Sequence, residues 1–477
     1  MKTIGKILIG ILLGIIFSFF PGGFLVFSVF LSVLYFMNRY LNTPSKDLLI
    51  KLFMLGFAVR VIMAFVNYYV AVDVMHDGVD TQPDAVIYNN NAYYIANHLK
   101  PFDNYSEDIT RDQRLKLSME RAKKWQGNRI PPVGSYQNGF YVFVIGLFYS
   151  WLGYCPIAAK VMNCIFGCGC AVLTYFIAKH LSGSETIAKA SYVVTMFFPS
   201  LMLWSATLLR DSIANFLFLA YMLSCLLYLK FGRNRALPAA FAMIVLLALF
   251  RLKIEPILTA GLGIVIIAGL LKKFFPAKRL TVFFAVIFIL IISAVMIGKN
   301  IDFVTNQVNS KIVLAFKHHQ AYSTHDVASV YKIFKGDLYG KANMNIRDFL
   351  DVSLCFSMLK GLAYYFLSPF PWRIPWNHFW LLIFYPQVIV TFIFLPFIAL
   401  GLLVSARRDI YVTAVMLTVL AIVILPNVFS EGVIGIVVRH RDMFTPFLII
   451  FASYGFYSLM LPKKHPEDVY PIGRDAR

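Results

Sequence analysis

Apolar residues in this chain gather in long runs closed by charged residues, and the runs recur at the length an α-helix needs to cross a bilayer. They lie near residues 5–20, 22–38, 48–72, 156–178, 187–208, 212–229, 237–253, 256–271, 280–298, 380–403, 410–426 and 444–461, about twelve spans in all. The pattern predicts an all-α polytopic membrane protein. One further run, 140–153, is apolar but short and rich in aromatics. Counted as a span it would invert every later loop, so it is expected to lie as a juxtamembrane helix on or dipping into the outer leaflet.

With that reading, the basic clusters Arg39/Lys46/Lys51, Lys179/Lys189, Lys230/Arg233/Arg235, Lys272/Lys273/Lys278/Arg279, Arg407/Arg408 and Lys463/Lys464 all fall on one side. The positive-inside rule makes that side the cytoplasm, with both termini on it, in a multi-pass protein of the cytoplasmic (inner) membrane. The expected organisation is two N-terminal spans in 1–47 and a membrane module in 48–298 that includes an outer loop, 73–155. A second outer loop follows in 299–379 with amphipathic and aromatic segments, then the last spans in 380–462 and a cytoplasmic tail in 463–477.

Composition narrows the classes. Hydrophobic residues make up 59% and charged residues 14%, which excludes an ordinary soluble domain. The net charge of +20 does not argue for nucleic acid, because the cations sit in short clusters between spans. Cys164, Cys168, Cys170 and Cys225 lie inside apolar runs, Cys155 at the edge of one and Cys355 in a polar region, so no disulfide framework is expected. Lys2 and Lys6 precede an apolar run that passes through Pro21-Gly22-Gly23 into the next, which reads as a retained span rather than a cleaved signal.

The candidate chemistry starts where the third span ends. Residues 72–99 bring Asp73, Asp77, Asp80 and Asp84 directly after an apolar run, and Tyr88, Ala92, Ile95, Ala96 and Leu99 then recur at helical spacing. Asp84 thus falls in the first turn of an amphipathic helix beside the membrane. Thr81-Gln82-Pro83-Asp84 resembles a capping box, so a capping role stands beside that of a base or metal-binding carboxylate. Asp211 begins a later helix on the same outer side, with Arg210 as its local partner or Asp84 as the carboxylate it faces. Arg251, Lys253 and Glu255 interrupt the outer end of the seventh span, where Arg251 suits either a phosphate or Glu255. Arg60 lies near the middle of the third span, with a carboxylate elsewhere as its expected companion. Arg439-His440-Arg441-Asp442 places cations on the outer side, against the orientation trend, and suits lipid headgroups or a phosphate substrate. His318, His319 and His325 have no metal-site spacing, and Trp372, Trp376 and Trp380 suit interfacial anchoring or sugar stacking.

Taken in order, these pieces resemble the GT-C superfamily of membrane glycosyltransferases, which use polyprenyl-phosphate-linked sugars, as protein O-mannosyltransferases do. The resemblance covers roughly 48–460 and rests on Arg60, the Asp84-Ala85-Val86-Ile87-Tyr88…Ala92 pattern, Pro131-Pro132…Tyr136, and Ala158-Ala159-Lys160-Val161-Met162-Asn163. It continues in Pro199…Trp204-Ser205…Asp211 and in an outer Arg before the last span, Arg439 or Arg441; two spans precede the region.

The resemblance implies catalytic carboxylates at Asp84 and Asp211, and donor or carrier-phosphate contacts from Tyr88, Arg251 and Arg439 or Arg441. Asp77 and Asp80 are rival first-loop acids; no metal site is assigned, and these two are the candidate positions should a divalent metal be required. The implied partners are a polyprenyl-phosphate-linked sugar, a glycan, lipid or protein acceptor, and membrane lipids. Rival functions are an envelope oligosaccharide polymerase or ligase, and a transporter or flippase, for which acids facing each other across the bilayer centre would be expected.

Overall fold

The computed structural model describes residues 22–75, 80–99, 139–251, 254–274, 281, 352–368, 370, 385–430 and 434–460. The expected spans 5–20 and 280–298, apart from Thr281, the loop 100–138, the histidines at 318–325 and the tryptophans at 372–380 lie outside the described residues.

Among the described residues every regular element is a helix. In chain order they are α1 (Gly23–Tyr40), α2 (Lys46–Tyr69), a π turn (Val70–Met75), α3 (Pro83–Leu99), α4 (Gly139–Leu152), α5 (Pro156–Ser182), α6 (Glu185–Met196) and α7 (Pro199–Ser205). There follow α8 (Asp211–Phe231), α9 (Ala236–Phe250), α10 (Glu255–Phe274), α11 (Val352–Leu367), α12 (Tyr385–Ser430), α13 (Ile434–Arg441) and α14 (Thr445–Met460). Six of them are long and apolar enough to cross a membrane, or seven if the bent pair α6–α7 forms one span, counted over the described residues. The chain is an α-helical membrane protein.

Three expected spans take a different form. The run 187–208 is not one straight helix: α6 and α7 meet at 55°, because Pro199 has no N–H to continue the ladder and Phe198 before it is extended. The runs 237–253 and 444–461 become α9 and α14, of 15 and 16 residues, which fall among the shorter apolar helices. α12 carries two expected spans in one unbroken assignment, yet Asp409 has non-helical φ −148 and ψ 85. Ser405 and Thr413 share a hydrogen bond of 2.9 Å, a contact that residues eight apart on a straight helix, about 12 Å in rise, could not make. The chain therefore reverses at Asp409 into a helical hairpin.

The fold divides into two compact units. The first comprises Met1–Leu173, Tyr192–Leu217 and Leu246–Leu252. Here α1 stacks Phe30 on Phe57 of α2, with ring centroids 4.2 Å apart. α3 lies on α4 where Gly146 lets the Ala92 carbonyl approach; a Cβ there would come within 3.1 Å of it. α4, at 14 residues, is about 21 Å long, too short for a bilayer core. It buries Tyr141, Ile145 and Tyr149 and leaves Phe143 and Trp151 exposed.

The second unit comprises Thr174–Ser191, Phe218–Val245 and Lys253–Arg477. Its α14 packs on the first arm of α12 at Gly401 and Gly455, where either glycine faces the other helix's backbone and no side chain fits between. Tyr411 of the second arm donates to the Ala268 carbonyl of α10 (2.5 Å), and Tyr221 of α8 to the Leu258 carbonyl (3.2 Å). α5 and α8 are the most enclosed candidate spans, each 67% buried over its most apolar stretch against 17% for α1 and α12.

Candidate functional site

The site lies in the first unit and is built around a break in helical structure. Residues 206–210, between α7 and α8, leave backbone polar groups without helical partners, and at membrane depth such groups must find partners in the protein. Two side chains supply them. Asp80 accepts the Leu208 N–H at 2.9 Å. Asn163 of α5 donates to the carbonyls of Thr207 (2.8 Å) and Leu209 (2.9 Å), and to the Tyr141 hydroxyl (2.8 Å). Burial pushes the Tyr141 phenol above its usual range, so it stays a neutral hydrogen-bonding group.

Asp80 is held on three sides. One carboxylate oxygen accepts from Leu208 and faces Lys160 Nζ at 3.0 Å, with both side chains fully buried. The other accepts the Gln82 N–H at 3.0 Å, an Asx-type turn that starts α3. Lys160 also donates to Asn67 Oδ1 (2.5 Å) and lies 5.8 Å over the Tyr68 ring. The Asn67 amide in turn donates to the Thr81 hydroxyl (2.6 Å), so Thr81 is engaged by α2 rather than serving only as a capping residue. One ion pair thus ties together the end of α2, the start of α3, α5 and the break at 206–210.

Asp211, fully buried in the first turn of α8, forms an ion pair with Arg251 just past α9. Sequence proximity offered Arg210 for Asp211 and Glu255 for Arg251. Instead Arg210 donates to the Phe250 carbonyl (3.0 Å) and lies 6.0 Å over the Tyr88 ring. Tyr88, buried, also packs edge-on against Tyr141 at 5.8 Å. The reason is geometric: at the break the chain turns its successive residues toward different helices, so neighbours in sequence part company.

Asp84 stands in the first turn of α3, one turn before Tyr88, and is partly exposed, unlike Asp80 and Asp211. The structure therefore brings together the two acidic segments, 80–88 and 208–211, through Asp80–Leu208 and Arg210–Tyr88. Asp77 lies outside the described residues, and Asp80 is committed to Lys160. Among the described residues no group of three or more His, Cys, Asp or Glu is placed to hold a metal ion.

Arg60 is fully buried and its companions are neutral: Ser205 Oγ (2.9 Å), the Gly56 carbonyl (3.2 Å) and Met196 Sδ (3.3 Å). Among the described residues no carboxylate makes an ion pair with it. It braces the end of α7 immediately before the break.

Arg439 and Arg441 belong to the second unit. Arg441 is buried and donates to the carbonyls of Phe366 (2.8 Å), Ser368 (2.6 Å) and Tyr365 (3.4 Å), capping the end of α11. Arg439 is half-buried in α13.

Lys160, Asn163 and Asn67 carry the site's hydrogen-bond framework, yet as residues they were singled out only within a motif or not at all. Their signal was present: each is a polar or charged side chain inside an apolar, span-length run, where it is costly unless paired. Comparison with protein-family models, with curated proteins and with solved structures found no match to this chain.

Proposed function

We propose that this chain is an integral-membrane glycosyltransferase that moves a sugar from a polyprenyl-phosphate carrier to a cell-envelope glycan, lipid or protein acceptor at the outer face of the cytoplasmic membrane. The reading takes about twelve crossings, with the basic clusters inside and the acidic segments outside. What carries it is the junction of the two acidic segments, with Asp84 left partly exposed while Asp80 and Asp211 are neutralised by Lys160 and Arg251. That division of labour suits inverting transfer. The partly exposed Asp84 carboxylate takes the proton of the acceptor hydroxyl as its oxygen attacks the anomeric carbon, and the bond from that carbon to the phosphate oxygen breaks. Arg251 and Arg210, already fixed by Asp211 and the Phe250 carbonyl, supply cationic donors for the phosphate that departs with the electron pair.

The test is to incubate purified protein with a panel of radiolabelled polyprenyl-phosphate sugars and acceptor membranes. The expected result is release of carrier phosphate with label appearing in a new product for at least one sugar. Absence of transfer across a panel that includes pyrophosphate-linked oligosaccharides would overturn it; transfer from the latter alone would favour a polymerase or ligase. Among the described residues the bent α6–α7 pair beside Arg60 favours transport, and label crossing a sealed vesicle without chemical change would select that reading.

A further inference from the structure

Within the second unit the C-terminal ends of α5, α8 and α10 converge, and each carries at least one lysine in its last turn: Lys179, Lys230, and Lys272 with Lys273. The ends are tied to one another. Lys230 donates to the His180 carbonyl, and Lys272 to those of Leu229 (2.7 Å) and Lys230 (3.4 Å). Gly183, at φ +64, ends α5 with its N–H on the Lys179 carbonyl, and the guanidinium of Arg408 fills the space a side chain there would need. Arg408 comes from the hairpin turn of α12 and lies within electrostatic range of Lys230. Arg233 rests 5.6 Å over the Phe231 ring.

Among the described residues two carboxylates lie near these cations: Glu185 pairs with Lys179 (3.1 Å) and accepts from the Tyr175 hydroxyl (2.6 Å), and Asp409 accepts the Val412 N–H (3.1 Å). Each helix C-terminus adds only about half a negative charge. Beside them stand Lys230, Arg233, Lys273 and Arg408. Orientation in a membrane asks for cations in the loops; it does not ask that they converge, two of them half-buried, at like-charge range. Phe231 and Phe274, exposed at 41% and 66%, stand beside the cations at the ends of two candidate spans, where rings meet acyl chains and headgroups.

We propose that this cluster binds the phosphodiester headgroup of an anionic phospholipid, with the exposed rings of Phe231 and Phe274 against its acyl chains. The position at span ends and the paired rings favour a lipid over a free anion. The reading is independent of any transferase activity.

The experiment uses the full chain in phosphatidylcholine nanodiscs, titrated with a short-chain phosphatidylglycerol and, in parallel, with short-chain phosphatidylcholine and inorganic phosphate, while bound ligand is counted by native mass spectrometry. Saturable phosphatidylglycerol binding is expected, weakened roughly tenfold or more in the R233Q/R408Q double variant and largely kept in R233K/R408K. Both positions are exposed, and Lys230 and Lys272, which serve helix carbonyls, stay intact; circular dichroism checks the fold. Equal binding of the two lipids, or binding unchanged in the double variant, would overturn the site. Inorganic phosphate binding as tightly as the lipid would overturn the lipid assignment.

Discussion

Replacing Lys160 by Met removes the only side-chain cation that the described residues place on Asp80, leaving a fully buried carboxylate with two backbone N–H donors. At 3.0 Å and an effective dielectric of about 20, the pair's attraction is about 5 kcal/mol, while a carboxylate orphaned in a protein interior typically costs about 3–5 kcal/mol. Lys160→Met should therefore destabilise by about that amount, and Asp80→Asn similarly, because Lys160 is then left with Asn67 Oδ1 as its main acceptor. The double variant Asp80→Asn/Lys160→Met carries no orphaned charge, and Asn still accepts one of the two N–H groups. It should be destabilised by less than either single variant, so the coupling should exceed the larger single loss, about 3–5 kcal/mol or more. The assay is reversible SDS-titrated unfolding in mixed micelles, followed by far-ultraviolet circular dichroism and by the fluorescence of Trp204, which is buried next to the break. Single-variant losses under about 1 kcal/mol, or additive losses in the double variant, would refute the claim that this pair holds the break at 206–210 in place.

Three further outcomes follow from the same geometry. Arg251→Ala should cost about 3–5 kcal/mol by stranding buried Asp211, while Arg251→Lys should stay within about 1 kcal/mol yet weaken donor binding roughly tenfold, since an ammonium cannot grip phosphate bidentately; thermal unfolding and donor titration separate the two. Arg441→Ala frees the Tyr365, Phe366 and Ser368 carbonyls and should lower stability by roughly 2–4 kcal/mol, with amide exchange rising first in α11. Gly455→Ala sets a Cβ against the Phe397 carbonyl and the Gly401 backbone and should cost roughly 2 kcal/mol or more in unfolding.

Hydrophobic periodicity made most helices readable, because a span-length apolar run has few alternatives in a bilayer. It could not reveal the bend between α6 and α7, which depends on one proline and an extended Phe198 inside an otherwise apolar run. Nor could it show that α9 stops short of full span length, since charged flanks mark where a run ends and not where backbone hydrogen bonding ends. At the site, the meeting of segments 80–88 and 208–211 was legible as two acids on one side of the membrane. Their pairing was not: Arg251 goes to Asp211, Arg210 to Tyr88 and Phe250, and Lys160 to Asp80, contacts that all span 40 residues or more. Spacing along a chain carries no information on such partners. Arg441 was expected at an outer position that suits phosphate; the three carbonyls it serves lie at the end of α11, a helix the span pattern did not include.

The most direct measurement is the turnover of Asp84→Asn with a polyprenyl-phosphate sugar that the wild-type protein uses, alongside its unfolding midpoint. Asn keeps a side-chain acceptor at the start of α3 but cannot take a proton. Stability should therefore change by about 1 kcal/mol or less while turnover falls by roughly two to four orders of magnitude. Near-normal turnover in a well-folded Asp84→Asn protein would contradict the assignment of Asp84 as the base.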